Sequence, residues 1–258
     1  MKMRVLTVGV WLPGIADSAV WLSGAHTDTT APPLAAVLPP MTRRRCSVLT
    51  RALADVFAQV TDRVDRAHVA SVFASAYGET AVLGELLDQL ALGEGLSPIR
   101  FSGSVHNAAA GQVSIVCENR AFTTSVAAGR DTVAMGLLEA QALLCDGAPQ
   151  VAVVLGDVAP PPSLSAERYG SLAAGLLVDA APSDGDELAT LVDLMDDAML
   201  ADAGALPVAT WTNPCCGGLL LVDTVLRQRN MRIGLGPHGV QGWGVDVTFP
   251  RPPPPEAA

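Results

Sequence analysis

The chain has 258 residues, 50% of them hydrophobic and only 16% charged, with a net charge of −10. Such a composition supports a sizeable core and excludes nucleic acid as a partner, because phosphate binding needs a basic face. So few charges imply apolar surface covered by another subunit, and no apolar run is long enough to cross a bilayer.

Arg4 to Trp11 reads as a buried first strand. The basic residues before it resemble the start of a signal peptide, but the run stops at Pro13-Gly14 without a cleavage site and is β-branched in character. Residues 12–40, punctuated by Pro13, Gly14, Pro32, Pro33, Pro39 and Pro40, form a connection too long for an ordinary loop. Thr42 is the expected cap of a helix running to about Val60, with Val48, Leu49, Leu53, Val56 and Phe57 on one face. Arg43, Arg44, Arg45 and Arg51 lie near its start; a solvated helix end is the plain reading, an acidic carrier protein the functional one. His68 to Ala76 is a second strand, small and β-branched as a central parallel strand should be, and a helix follows over about Glu79 to Leu92.

The stretch from Phe101 to Asp157 reads as helix, strand, helix, strand. Ala108, Ala109, Ala110 and Gly111 are small enough to let a helix approach a neighbour closely. Ala121 to Ala128 has the composition of a buried strand. A helix starts near Asp131, whose carboxylate suits the positive end of the helix dipole, and ends at Gly147. Val151 to Leu155 is a further strand. Beyond the Pro-rich link at Ala159 to Pro162 come two more, Leu172 to Asp179 and Leu188 to Leu194, then a helix over Pro214 to Gln228 and a terminal strand over Trp243 to Phe249. Residues 250–258 form a Pro-rich tail. Alternating strands and helices imply a sheet flanked on both sides.

The five cysteines show no C-x-x-C pair, and adjacent Cys215-Cys216 is a poor disulfide and a poor zinc site, so a reducing cytoplasm is the expected setting. No cofactor or metal is implied. His26, His68, His106 and His238 have no metal spacing, and His238 in Gly-Pro-His-Gly reads as a turn residue. Asp193, Asp196, Asp197 and Asp202 read as a solvated acidic run, and Gly234 to Pro237 is too short for a phosphate loop.

The central stretch resembles the nucleophile region of the β-ketoacyl synthases, condensing enzymes of the thiolase-like superfamily. Asn107, Gly111, Arg120, Glu139-Ala140 and Gly147 fall at that family's spacing without a gap. In this frame Arg130 stands where the family has its catalytic Cys. Sliding the frame to match Gly129 puts Val126 there and breaks the later matches. Neither residue can attack a thioester.

A ketosynthase body without its Cys resembles the chain length factors, and the short chain with Asn-Ala-Ala-Ala-Gly and Ala-Ala-Gly-x-Asp-Thr looks most like the abbreviated forms of aryl polyene pathways. The resemblance implies an α/β fold, thiolase-like and layered α/β/α, with a mostly parallel central sheet. It further implies a single domain over residues 1–249, whose second half is abbreviated from about 163. It implies a non-catalytic subunit that heterodimerises with an active β-ketoacyl synthase, shapes its acyl tunnel in polyketide or fatty-acid-type synthesis and meets an acyl carrier protein through the complex. Carried over by motif, Asn107, Gly111, Phe122, Thr123, Thr124 and Ser125 belong to the partner interface. Phe101, Ser104, Val105 and His106 would reach the partner's tunnel, and Asn107 and Gly111 would hold their helix against the sheet. The alternative is a free-standing acyltransferase or thioesterase-like enzyme using Ser125 with His106 as its base; it requires acylation of the isolated chain that Ser125→Ala abolishes.

Overall fold

The structure, a computed structural model, describes residues 2–25, 29–180, 187–198 and 206–249. His26, Asp202 and the tail lie outside the described residues. The strands are β1 (Met3–Trp11), β2 (Ala70–Ala74), β3 (Thr123–Val126), β4 (Val151–Asp157), β5 (Leu172–Asp179), β6 (Ala189–Ala198), β7 (Met231–Gly234) and β8 (Gly242–Thr248). They form one sheet in the order β3-β2-β4-β5-β1-β6-β8-β7. The helices are α1 (Ser18–Ser23), α2 (Pro40–Arg43), α3 (Val48–Val60), α4 (Thr80–Ala91), α5 (Pro98–Ser102), α6 (Ala108–Val116), α7 (Thr132–Cys145) and α8 (Cys216–Leu226).

Helices cover both faces, as the layered expectation requires. Strand alternation divides the apolar side chains cleanly. Val151, Val153 and Leu155 of β4 share a core with Val133, Leu137 and Leu144 of α7 and with Leu219, Leu221 and Val222 of α8. Ala152 and Val154 face the other way, onto Leu53, Val56 and Phe57 of α3 and Ala109, Ala110 and Val113 of α6. Because β4 is buried on both faces it reads as a continuous apolar run.

The sheet is mixed, which corrects the expectation of a mostly parallel one. Among the described residues only β2–β3 and β2–β4 run parallel. The pairs β4–β5, β5–β1, β1–β6, β6–β8 and β8–β7 are antiparallel. A parallel pair needs a crossover that returns the chain to the same end, and α4 to α6 and α7 supply it. Residues 158–171 contain no helix, so the chain turns back and β5 runs against β4.

Several local expectations change as well. The helix placed after Thr42 begins at Val48, because Ser47, with extended backbone, accepts the Thr50 N–H on its hydroxyl at 2.9 Å. Thr42 instead closes a short turn, accepting from Arg45 N–H at 2.9 Å. The long connection after β1 contains α1, a helix that buries Trp21; its indole N–H donates to Asp223 of α8 at 2.9 Å. The strand read at Ala121 to Ala128 as buried is the sheet's edge, and all four residues of β3 are half-buried. Composition marks a strand but says nothing about whether a neighbour lies on both sides. β7 was not anticipated, being too short and too interrupted by polar residues to read as a strand.

Candidate functional site

Two places hold the residues with chemical potential: the open side of β3, and the carboxyl ends of the parallel strands. The β2–β3 register sets Ser71 opposite Thr123 and Phe73 opposite Ser125, so Thr123 and Ser125 lie on the α6 face. Thr123 and Ser71 hydroxyls meet at 3.0 Å. The carbonyls of Phe122 and Val126 accept from Ser71 and Ser75 of the neighbouring chain segment, at 2.9 and 3.1 Å. By the alternation of a ladder, the N–H and C=O of Thr123 and Ser125 point away from the sheet.

An open groove of about 500 Å³ runs between this edge and α6, lined by His106, Asn107, Gly111, Ser114 and Thr123 to Ser125. The structure thus brings His106, Asn107, Gly111, Thr123, Thr124 and Ser125 together. His106 is oriented by its Nε2–H, which donates to the Ser75 carbonyl at 2.7 Å. Its ring lies against Gly78, where a Cβ would sit 2.7 Å from the imidazole, and Gly78 has φ of +56°, a conformation glycine adopts without strain. Ser125 Oγ is buried with no hydrogen-bond partner among the described residues, whereas the enzyme reading calls for a base beside it. Gly111 corrects the expectation that it holds α6 to the sheet. A Cβ there would meet nothing within 4 Å, and Ala109, Ala110 and Val113 do the packing.

Of the tunnel residues, Phe101 is 60% and Val105 42% exposed. Ser104 donates its hydroxyl to the Phe101 carbonyl at 2.8 Å. Phe122 and Ile115, 56% and 74% exposed, extend the apolar surface beside the edge. Arg130 lies in a turn of 3-10 helix, Gly129–Asp131, just before α7, with its side chain 65% exposed and its Nε 3.9 Å from Asp131. An ion pair this exposed contributes little.

The second place carries no motif in the sequence. At the end of β4 the Asp157 carboxylate, fully buried, accepts N–H bonds from Ala76 at 2.5 Å and Tyr77 at 3.3 Å. Cys215, at the start of α8, holds its Sγ 3.9 Å from the same carboxylate. Asn213 ties the arrangement, donating to the carbonyls of Asp157 and Gly170 at 3.2 and 3.0 Å and accepting the Cys215 N–H at 2.8 Å. The carboxyl ends of parallel strands are where such folds bind ligands. Burial first and the Asp157 charge second push the Cys215 thiol well above its usual range, which disfavours the thiolate.

Burial raises the Asp157 carboxyl from 3.8 to about 6. With the folded value above the unfolded one, this group destabilises the fold increasingly as pH rises through that interval. Asp157→Asn should remove the dependence. In urea denaturation, the stability of the variant relative to wild type is expected to rise by about 1 kcal/mol between about pH 5 and pH 7. A flat difference would refute the assignment.

Among the described residues no group of His, Cys, Asp or Glu has metal-binding geometry, and no helix is long and apolar enough to cross a membrane. No curated protein matches the chain. Solved structures share its fold. A chain from a ketosynthase in complex with its chain length factor from Xenorhabdus doucetiae aligns with a TM-score of 0.73 and 22% identity, covering 96% of this chain and 99% of that one. A chain of a type II acyl-carrier protein complex with its ketosynthase bound to the hexaketide aligns at 0.70 and 12%, again over 96% and 99%. The ishigamide ketosynthase/chain length factor aligns at 0.60 and 16%, over 76% and 67%. The profile described as beta-ketoacyl synthase, N-terminal domain, matches residues 19–231. The chain therefore belongs to the β-ketoacyl synthase family and has its thiolase-like fold.

Proposed function

We propose that this protein is a non-catalytic ketosynthase-like subunit, a chain length factor, that pairs with an active β-ketoacyl synthase and shapes its acyl tunnel. The observation that carries the reading is the β3 edge: a strand paired on one side only among the described residues, flanked by exposed Ile115, Phe122, Val105 and Phe101, with an open groove beside it. Such an edge invites pairing with another strand, and exposed apolar surface beside it marks an interface. Its likeness to chains of its own length from ketosynthase complexes adds support.

The non-catalytic reading is supported by the motif frame, in which Arg130 takes the nucleophile's position, and by the burial of Cys215, which disfavours its thiolate. The acyl carrier protein would be met through the complex, and a polyketide or fatty-acid-type product, aryl polyene-like, is the reading that the Asn-Ala-Ala-Ala-Gly and Ala-Ala-Gly-x-Asp-Thr motifs support. Chain length would be set by how much tunnel the side chains of Phe101 and Val105 leave open. Val105→Ala is therefore expected to shift the products of the reconstituted complex toward longer chains, measured by mass spectrometry of released acyl groups. An unchanged product distribution from a correctly assembled complex would remove Val105 from the tunnel.

A further inference from the structure

The buried carboxylate and the open groove share one peptide unit. Asp157 Oδ2 accepts the Ala76 N–H at 2.5 Å, and the carbonyl of that same Ser75–Ala76 peptide accepts His106 Nε2–H at 2.7 Å. The unit is planar and trans, so its N–H and C=O point in opposite directions and move together. An N–H bonded to a carboxylate also polarises its carbonyl, which strengthens the bond at the far end. Asp157 Oδ1 accepts the next N–H, of Tyr77, at 3.3 Å, and Ser75 Oγ accepts the Gly78 N–H at 2.9 Å. The turn on which the imidazole rests is thus tied along its length. The ring itself is exposed and lines the groove, and the Ser75 carbonyl is its one hydrogen-bond partner among the described residues. Because a carbonyl can only accept, the shared peptide keeps the proton of the neutral ring on Nε2 and leaves Nδ1 as an acceptor.

We propose that Asp157 is a positioning residue for the groove beside β3: through the Ser75–Ala76 peptide it fixes the His106 imidazole, which hydrogen-bonds the chain that pairs there. The recognition half of this inference rests on the pairing reading above; the positioning half does not. Asp157→Asn is the direct probe. Ala76 and Tyr77 present donors to different oxygens of the carboxylate, so the amide must set its NH2 against one of them and displace the turn. Gly78→Ala reaches the same ring from the other side without touching the carboxylate, because the added Cβ would lie 2.7 Å from His106 Cδ2.

In the isolated full-length chain, a nuclear Overhauser contact between His106 Hδ2 and the Gly78 Hα protons is expected for wild type and should be lost in Asp157→Asn, while contacts across the rest of the sheet persist. Association with the proposed ketosynthase partner, followed by surface plasmon resonance, should weaken about tenfold in Asp157→Asn, in Gly78→Ala and in His106→Ala, and no further when His106→Ala is combined with either of the others. Additive effects would assign Asp157 to the fold alone and overturn the proposal. An unchanged ring contact in Asp157→Asn would overturn the positioning itself. A wild-type chain that binds no ketosynthase would remove the recognition half together with the pairing reading, and the ring contact would still decide the positioning half.

Discussion

Phe122→Glu is expected to reduce co-purification with the proposed ketosynthase partner by at least about a hundredfold, because under the proposed function it sets an unpaired carboxylate in a desolvated interface. Phe122 is more than half exposed and immediately precedes the open strand, so the substitution removes nothing from the chain's own core. The isolated variant should keep its circular dichroism and its unfolding midpoint. Ser125→Pro tests the same edge through the backbone. Its N–H points away from β2, so proline there leaves the internal ladder intact while removing a donor that the proposed pairing with a partner strand would use. Undiminished co-elution of both variants with the ketosynthase would show that association uses some other surface.

Arg4→Ala is expected to destabilise the fold by about 3–5 kcal/mol, the range for breaking a buried ion pair from one side. Arg4 lies on β1, between β5 and β6, and its Nε and Nη2 each lie 2.7 Å from an Asp179 carboxylate oxygen. Its Nη1 is 3.8 Å from Glu187. Side chains of both acids are under 10% exposed, so removing the guanidinium leaves two neighbouring carboxylates out of water without their shared counter-charge. A loss of so much of an ordinary domain's stability is readily seen in urea denaturation. A change below about 1 kcal/mol would mean that the pair is solvated rather than structural.

Much of the architecture was legible because it is locally encoded. β5 was read at the observed boundaries, Leu172–Asp179, since a strand buried on both faces is apolar without interruption. The end of α7 was legible in Gly147, which takes φ of +100° and returns its N–H to the Leu144 carbonyl. The start of α3 is not legible in the sequence because Thr42 and Ser47 are both competent caps, and the extended backbone that capping requires is at Ser47. α1 escaped notice for a different reason: at six residues it has little helical periodicity to read, and its stability comes from burying Trp21 against α8.

The candidate site divides along the same line. The order of residues alone supplied the motif frame from Asn107 to Gly147, the Arg at position 130, the positions of most strands and helices, and the apolar excess that asks for a partner. Those are properties of neighbours in the chain, set by side-chain chemistry and by the short reach of turns and caps. Which strands run antiparallel, that β3 lies at an edge, that Gly111 faces open space, and that Asp157 meets a thiol from α8 were decided by tertiary packing. Asp157 and Cys215 are 58 positions apart in the chain, and nothing near either one names the other. Their contact follows from layering α8 onto the sheet, where burial of the whole apolar face fixes which polar groups are left to satisfy each other.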